Sequence, residues 1–558
     1  MLSIIKEELN RSITLSLKNA FSSEGKLPPV ELEMPADKNH GEFATNIALK
    51  SAKIFRQPPM QIAEKFSEAI RQGLKKTSLQ EKIEKIEVEK PGFINFYLSS
   101  KAVYGILSDV LRQKDDFGRS DFGRKKKVQI EFVSANPTGP LSVAHARQAA
   151  VGDALANILN FIGYKADREY YVNDEGNQIN LLGKSLQSRA LEILGQRVAF
   201  PENGYQGQYI IDMAKAYLKK KKITEYRQLQ KIALDEFCEY GVSYLMDVIK
   251  KDLDDFGVHF DAWSYQSKIS NEKQIQKALR DLGKKGLLYE KDGALWFQST
   301  QYGDDKDRVL KKSDGTYTYL APDIAYHKNK YKRGYKAIYN IWGPDHHGYI
   351  PRIKASVKAL GQDALSLQVL IVQLATIYRN GKPVSMSTRR GEYISLREVM
   401  EEVGVDAARF FFLMRSIKAH LDFDLELAKK ETPENPVYYI QYAHARIHSI
   451  VEKAKDAKIF MKKDKFELFK EEEEMDLIKK IGAFPSLLVH CGRQMDVFAL
   501  VSYLMDLAAC FHKFYDRHRV VDEKNPSLSS ERLALIDAAR IVIANGLRLI
   551  GVSSPQTM

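Results

Sequence analysis

The sequence is poor in cysteine. Its 558 residues include three cysteines, Cys238, Cys491 and Cys510. They form no CxxC pair, and no histidines stand near them at the spacing of zinc ligands. This pattern argues against a disulfide framework and against a structural metal, and it favours a reducing compartment.

Long apolar segments are also lacking. The N-terminus, MLSIIKEELNRS, carries early acidic residues and no extended apolar core, so it does not resemble a signal peptide. No run of 18 apolar residues occurs, since even FALVSYLMDLAACFHKFY is interrupted by Asp506. We therefore expect a soluble, cytoplasmic protein that does not bind a membrane.

The composition is that of a globular protein with an excess of positive charge. Hydrophobic residues make up 44% and charged residues 28%, and the length predicts two to four domains. Lys and Arg number 85 against 72 Asp and Glu, so the net charge is 85 − 72 = +13. A polyanionic partner is expected, with nucleic acid as the leading candidate. The alternative is a basic surface that only aids solubility.

The patterns divide the chain into three regions. Residues 1–115 mix helical patterns with short extended pieces, VELEM and GFINFYL, which predicts an α+β domain. Residues 120–430 contain the strand patterns KVQIEFV, ADREYYV and KAIYNIW between helices, which predicts a Rossmann-like α/β domain with a parallel sheet and insertions. The apolar run LQVLIVQLATIY is predicted as one further strand. Residues 434–558 predict an all-α helical bundle.

The most informative stretch is SANPTGPLSVAHARQAAVGDALANIL, which begins at Ser134. Its Asn, Pro and Gly residues allow a buried strand to turn sharply into a helix. The free N–H groups and the dipole of a helix N-terminus favour anions, so a phosphate group is the natural ligand. His145 lies in the first turns of this helix and can donate to a phosphate oxygen. The alternative is a purely structural histidine.

The same stretch resembles the HIGH signature of class I aminoacyl-tRNA synthetases, and within that class it is most similar to arginyl-tRNA synthetases. Further matching strings follow in order, among them REYYVNDEGNQINLLGKS, DGTYTYLAPDIAYHKNKY, WGPDHHGYIPRI and HLDFDLELAKKETPENPVYYIQYAHARI. NHGEFATNIA and PGFINFYL extend the resemblance to the N-terminal region. It covers nearly the whole chain.

This resemblance implies that the protein joins L-arginine to tRNA(Arg) using ATP, through an arginyl-adenylate. Such an enzyme aligns the carboxylate of arginine with the α-phosphorus and stabilises the charge that develops. Mg²⁺ is expected as the counter-ion of ATP. The resemblance further implies a monomer whose N-terminal domain contacts the tRNA and whose C-terminal domain binds the anticodon.

Matched motif positions imply the site residues. His145 matches the last histidine of HIGH, and Arg389 lies in VSMSTRRG, which matches the mobile KMSKS loop; both are expected to act in catalysis. The further positions implied for ATP are Ser134, Asn136, Gly343, Asp345, His346, Met386 and Ser387. Those implied for arginine are Glu131, Asn136, Tyr319, Asp323 and Gln266. Those implied for tRNA are Tyr438, Tyr442 and Arg446.

Simpler interpretations of these residues stay open. Asp323 suits a bidentate pair with a guanidinium, but it also suits the first turn of a helix. Asp345 and His346 could cap the following helix, and the lack of a third ligand nearby in sequence argues against a metal bound by His346 and His347. The KMSKS-like loop could be an exposed basic hairpin edge. The two tyrosines at helical spacing could be a core stripe rather than a base-stacking platform.

Several signature positions depart from the family pattern. Family residues are replaced by Ser142, Ala144, Ser385 and Thr388, and the lysine that some members carry before HIGH is Gly139. Gln266 stands where the family usually has a glutamate that helps to hold the guanidinium, which leaves more of that role to Asp323. One hypothesis is an active ligase with variant signatures, in which an arginine of the loop replaces the lysines. The alternatives are a catalytically weakened, tRNA-binding paralogue and another class I specificity, although the lack of a zinc-type cysteine set argues against the cysteinyl enzyme.

Overall fold

A computed structural model of the chain describes residues 2–22, 27–33, 35, 37–384 and 393–558. The N-terminal region contains a three-stranded antiparallel sheet, in the order β1-β3-β2, and four helices. The strands are β1 (Phe43–Thr45), β2 (Ile83–Glu89) and β3 (Phe93–Leu98), and the helices are α1 (Leu2–Ala20), α2 (Ile47–Phe55), α3 (Pro59–Leu74) and α4 (Ser100–Gln113).

The central region is built on a five-stranded parallel sheet. Its strands are β4 (Lys127–Glu131), β5 (Lys165–Val172), β6 (Ala262–Tyr265), β10 (Ala337–Trp342) and β11 (Leu367–Ile371). They lie in the order β11-β10-β4-β5-β6, and every neighbouring pair is parallel. This order is that of a doubly wound Rossmann-like sheet, and the winding reverses between β4 and β10. The predicted fold class is therefore confirmed.

Helices cover this sheet and form its insertions. They are α5 (Val143–Phe161), α6 (Asn177–Ile193), α7 (Gln208–Lys221), α8 (Tyr226–Leu229), α9 (Leu234–Asp255), α10 (Gln266–Ile269), α11 (Glu272–Lys284), α12 (Leu320–Lys332), α13 (Ile350–Ala359), α14 (Leu396–Val403), α15 (Val405–Leu413) and α16 (Leu425–Lys429). α6 to α9 enclose a hydrophobic core of their own. An antiparallel sheet of β7 (Leu288–Lys291), β8 (Ala294–Phe297) and β9 (Arg308–Lys311) precedes α12.

The prediction of one strand for LQVLIVQLATIY is wrong. The run forms β11 and then β12 (Ala375–Arg379), which belongs to a second sheet with β13 (Lys382–Pro383) and β14 (Leu421–Asp424). Between the two strands, the carbonyls of Gln373 and Leu374 accept the guanidinium of Arg147, buried on α5, at 2.7 and 3.3 Å. The carbonyl of Leu374 also accepts the N–H of Leu421 of β14 at 3.2 Å, so the chain passes here from the first sheet to the second.

The C-terminal region consists of helices, in agreement with the prediction. They are α17 (Pro436–Asp456), α18 (Glu472–Gln494), α19 (Phe498–Arg517) and α20 (Pro526–Leu549). Tyr104 of α4 packs edge-on against Phe469, just before α18, and its hydroxyl donates to the carbonyl of that residue at 2.9 Å, so the N-terminal region also packs on the C-terminal region. In the part of the chain that the structure describes, no helix has both the length and the apolarity needed to cross a bilayer.

Candidate active site

The winding of the sheet reverses at the carboxyl ends of β4 and β10, and in open α/β sheets ligands bind in the crevice at this place. The chain leaves β4 through two residues with left-handed backbone, Val133 (φ 66°) and Ser134 (φ 40°). A β-branched residue rarely adopts this conformation, so the turn stores strain that its surroundings must hold. Ser134 helps to hold it, since its hydroxyl accepts the N–H of Tyr171 at 3.1 Å.

His145 is fixed at the start of α5 in a defined protonation state. The backbone N–H of Ser142, the residue before α5, donates to Nδ1 of His145 at 3.2 Å. Nδ1 is therefore the unprotonated ring nitrogen, and the proton resides on Nε2. Burial lowers the pKa of His145 to about 4, against the opposing effect of Asp345. At neutral pH the imidazole is a neutral donor through Nε2.

The N-terminus of α5 differs in one respect from the expectation of free backbone amides. The N–H of Val143 donates to the carbonyl of Ile394 at 3.3 Å, and the N–H of Leu396 donates to the carbonyl of Leu141 at 2.7 Å. The HIGH-like segment is thus paired with the segment that directly follows the KMSKS-like loop. Met386, Ser387 and Arg389, which were predicted for that loop, lie outside the described residues.

Gly343, Asp345 and His346 follow β10 on the opposite side of the crevice. Gly343 lies close to α5, as a Cβ atom at this position would be 3.7 Å from Nε2 of Gln148 in that helix. The side chains of Asp345 and His346 are exposed, with a distance of 3.6 Å between Oδ2 and Nε2. Neither caps α13, whose first residue follows Tyr349. The capping interpretation therefore has no support for α13.

Asp323 lies in the first turn of α12 and is largely buried. The hydroxyl of Tyr349 donates to its Oδ2 at 2.6 Å. Burial raises the pKa of Asp323 to about 7; the bond from Tyr349 opposes this rise, and the charge of Glu131 adds to it. Tyr319 precedes α12 and is 80% exposed. In the described part of the chain, no side chain caps the N-terminus of α12, so the carboxylate of Asp323 is not used as a helix cap.

Glu131 is the last residue of β4 and is held by a residue that the sequence patterns did not single out. Lys330 of α12 is fully buried, and its ammonium binds Oε2 of Glu131 and also Oδ1 of Asn340, the latter at 3.0 Å. The other oxygen of Glu131, Oε1, accepts the hydroxyl of Ser134 at 3.4 Å. The sequence alone gives no sign of this role for Lys330, because a lysine on a helix usually points to solvent.

Tyr171 connects the two sides of the pocket. Its ring stacks on Tyr326 with centroids 4.6 Å apart. Its hydroxyl donates to Oε1 of Gln266 at 2.7 Å, and Nε2 of Gln266 in turn donates to Oε2 of Glu175 at 3.4 Å. Asn136 also reaches the first turn of α6, where its side-chain amide donates to Oε1 of Gln178 at 2.6 Å. The sequence interpretation did not select Tyr171 or Glu175.

A buried carboxylate binds one member of the stacked pair formed by Tyr171 and Tyr326. Glu169 of β5 accepts the hydroxyls of Ser264 at 2.7 Å and Tyr326 at 2.8 Å, and it is bound by two nitrogens of Arg333 at 2.7 and 2.9 Å. Burial would raise the pKa of Glu169, but the bonds from Arg333 hold it below the ordinary value. The ring of Tyr326, and with it Tyr171, is therefore held in one position.

The residues predicted for tRNA lie apart from the crevice, on α17. The rings of Tyr438 and Tyr442 are nearly parallel, with centroids 6.2 Å apart, and His512 continues the stack at 6.1 Å from Tyr442. The guanidinium of Arg446 lies 5.2 Å from the Tyr442 ring. These side chains are half-buried, whereas the fully buried positions of α17 lie between them in sequence. A plain core stripe does not describe them.

Metal binding is a separate question. Over the described ranges, no group of three or more His, Cys, Asp or Glu side chains is arranged to hold an ion.

Comparison with known proteins extends over the whole chain. Three family profiles match in order: an arginyl tRNA synthetase N terminal domain at residues 7–98, a class I (R) tRNA synthetase catalytic domain at 106–416, and a DALR anticodon binding domain at 440–558. The arginine–tRNA ligase of Bacillus subtilis is 44% identical over 100% of this chain and 99% of its own. That of Geobacillus kaustophilus is 45% identical over 99% of both.

A solved structure shares the fold. The arginyl-tRNA synthetase of Thermus thermophilus, 22% identical, superposes with a TM-score of 0.75 over 99% of this chain and 100% of that chain, and at this identity the likeness concerns the fold alone. Nothing in these comparisons favours the catalytically weakened paralogue. With identity of 44% along its full length, the chain belongs to the arginine–tRNA ligase family of class I aminoacyl-tRNA synthetases.

Proposed function

We propose that this chain ligates L-arginine to tRNA(Arg) in two steps that share one crevice. In the first, an oxygen of the arginine carboxylate attacks the α-phosphorus of ATP, and pyrophosphate leaves. In the second, a terminal ribose hydroxyl of the tRNA attacks the carbonyl carbon of the adenylate and loses its proton, and AMP leaves. The observation that carries this proposal is the closeness of two carboxylates, Glu131 at the end of β4 and Asp323 in the first turn of α12, where the charge of the first acts on the second.

The chemistry of each group suits one part of the reaction. The Nε2–H of His145 would donate to an oxygen of the α-phosphate and stabilise the negative charge that grows there. This donation needs no proton uptake, because the imidazole is already neutral. We place Ser134, Asn136, Gly343, Asp345 and His346 around the nucleotide, with the last two near the ribose.

The arginine substrate would lie between the ends of β4 and α12. Oε1 of Glu131, whose other oxygen is bound by Lys330, would accept the α-amino group, with Asn136 beside it. Asp323 would pair with the guanidinium, and Tyr319 would cover it, since residues four apart share one face of a helix. Gln266 would accept a hydrogen bond from the same group.

The remaining assignments are also proposals. Met386, Ser387 and Arg389 would close over the triphosphate, and Mg²⁺ would enter as the counter-ion of ATP. Tyr438, Tyr442 and Arg446 would stack on unpaired anticodon bases. The division into residues 1–115, 120–430 and 434–558, a monomeric state and a cytoplasmic location, where charged tRNA is used, complete the proposal.

The test is aminoacylation by the purified full-length chain. With ATP, labelled arginine and tRNA, we expect charged tRNA, and we expect the neutral isostere citrulline to be rejected. Pyrophosphate exchange, measured with and without tRNA, reports the first step alone. Absence of charging by a preparation that still binds tRNA would rule out the ligase and leave the tRNA-binding paralogue.

A further inference from the structure

The guanidinium pocket is short of negative charge. A guanidinium is always fully charged, and it presents donors on more than one side. Burial raises the pKa of Asp323 to about 7, so its negative charge is disfavoured in the free protein. Glu131 is already bound by Lys330, and Gln266 is neutral. Another carboxylate is needed to complete the match.

The loop between β5 and α6 provides a candidate. Asp174 in this loop accepts both the N–H of Ser267, at 3.0 Å, and its hydroxyl, at 2.5 Å, so the loop is tied to α10. Its neighbour Glu175 accepts Nε2 of Gln266 at 3.4 Å. Among the described residues we find no cation paired with Glu175, and its side chain is exposed. The loop is thus fixed while this carboxylate stays available.

The position of Glu175 relative to Asp323 follows from Tyr171. The hydroxyl of Tyr171 bonds to Gln266, which bonds to Glu175. The charges of Asp323 and Glu175 both act on this hydroxyl and contribute, after burial, to raising the pKa of Tyr171. Both carboxylates therefore lie near the Tyr171 hydroxyl, and Glu175 reaches it through the Gln266 amide.

We propose that Glu175 is a specificity-determining residue that supplies the second carboxylate to the guanidinium of arginine, opposite Asp323. The guanidinium would lie between the two carboxylates, next to the Oε1 atom of Gln266. Glu175 would bind it in place of the present bond from Nε2 of Gln266. The inference rests on the proposed function, because it names a contact for the same substrate.

Glu175→Gln tests the charge alone, because the substitution keeps size and hydrogen-bonding capacity. We expect the KM for arginine to rise about 10- to 100-fold, as for the loss of a charged hydrogen bond, with kcat and the KM values for ATP and tRNA within about twofold of wild type. The preference for arginine over citrulline should fall by the same factor. Glu239→Gln, an exposed substitution on α9, is the matched control and should leave all four quantities unchanged.

A second variant distinguishes charge from shape. Adding Gln266→Glu to Glu175→Gln returns one carboxylate to the same side of the pocket, and it should restore most of the lost arginine affinity. If the wild type charges tRNA, an unchanged arginine KM in Glu175→Gln overturns the inference. So does an equal loss of affinity for arginine and citrulline that Gln266→Glu does not restore. Failure of the wild type to charge arginine would overturn both the inference and the proposed function.

Discussion

Asp323→Asn separates the charge of the pocket from its shape. Asparagine has the size of aspartate and can still accept the hydroxyl of Tyr349, so the change removes only the carboxylate that would pair with the guanidinium. Loss of one member of a buried, hydrogen-bonded ion pair costs about 2 to 4 kcal/mol. At about 1.4 kcal/mol per factor of ten, we expect the KM for arginine to rise about 30- to 700-fold. The affinity for tRNA should stay nearly unchanged.

The pH dependence gives this prediction a second signature. With a pKa of about 7, Asp323 must lose its proton before it binds arginine. The wild-type KM for arginine should therefore fall as the pH rises from 6 to 7 and level off above, whereas that of Asp323→Asn should be flat. Glu131, Lys330 and the hydroxyls of Tyr171 and Tyr349 also face this carboxylate, and the raised pKa values of both tyrosines keep them uncharged in this range.

The same pKa predicts that the stability of the folded protein falls as the pH rises, whereas arginine binding improves. A carboxyl pKa raised from its ordinary value of 3.8 means that the folded protein keeps a proton which the unfolded chain has lost. Stability is therefore lost as the pH rises from about 4 to about 7, by at most about 4 kcal/mol. Above pH 7, and without arginine, Asp323→Asn should unfold at a higher temperature than wild type. The reasoning would be refuted if Asp323→Asn had the same KM for arginine as wild type. It would also be refuted if the plot of KM against pH kept its inflection in the variant.

Three further predictions concern other parts of the molecule. His145→Ala should lower the rate of tRNA-dependent pyrophosphate exchange about 10²- to 10³-fold, as for other lost transition-state donors, with little change in the arginine KM; a normal rate would show that the histidine is structural. Gly152→Ala should destabilise the protein by about 1 to 3 kcal/mol in urea unfolding, because the new Cβ would lie 2.2 Å from Cγ of Phe132, and an unaltered midpoint would contradict this packing. Tyr442→Ala should raise the KM for tRNA about 5- to 150-fold through a lost stacking contact of about 1 to 3 kcal/mol, while tRNA-independent arginine binding stays as it is.

The local elements of the site follow from patterns that involve neighbouring residues. Ser395 and Glu398 predict a capping box, and the hydroxyl of Ser395 does accept the N–H of Glu398 at 3.2 Å. Asn380 and Gly381 predict a tight hairpin, and both have positive φ at the turn between β12 and β13. Strand-loop-helix patterning placed His145 at the start of a helix, although its protonation state depends on a backbone bond that the sequence does not reveal.

Contacts between distant segments could not be predicted in this way. The pairing of Lys330 with Glu131 joins residues 199 positions apart, and it requires a lysine to be buried against the usual preference of that residue. Between β11 and β12, two carbonyls bind Arg147, an arginine of α5 more than 220 positions away. An apolar run carries no mark of the carbonyls that a remote guanidinium will bind, so it was predicted as one strand.

Helix α5 explains why such distant contacts serve the site. Near its first turn, Arg147 binds the carbonyls of Ser416 and Ala419 at 3.0 and 3.1 Å, in addition to those at the bend before β12. One turn and a half later, Asp153 binds the buried Arg409, which itself donates to the carbonyl of Ile550 after α20 at 3.0 Å. A buried guanidinium is costly to leave without acceptors, so these bonds hold their partners firmly. The helix that carries His145 is therefore anchored both to the strand that leads to the KMSKS-like loop and to the end of the C-terminal bundle.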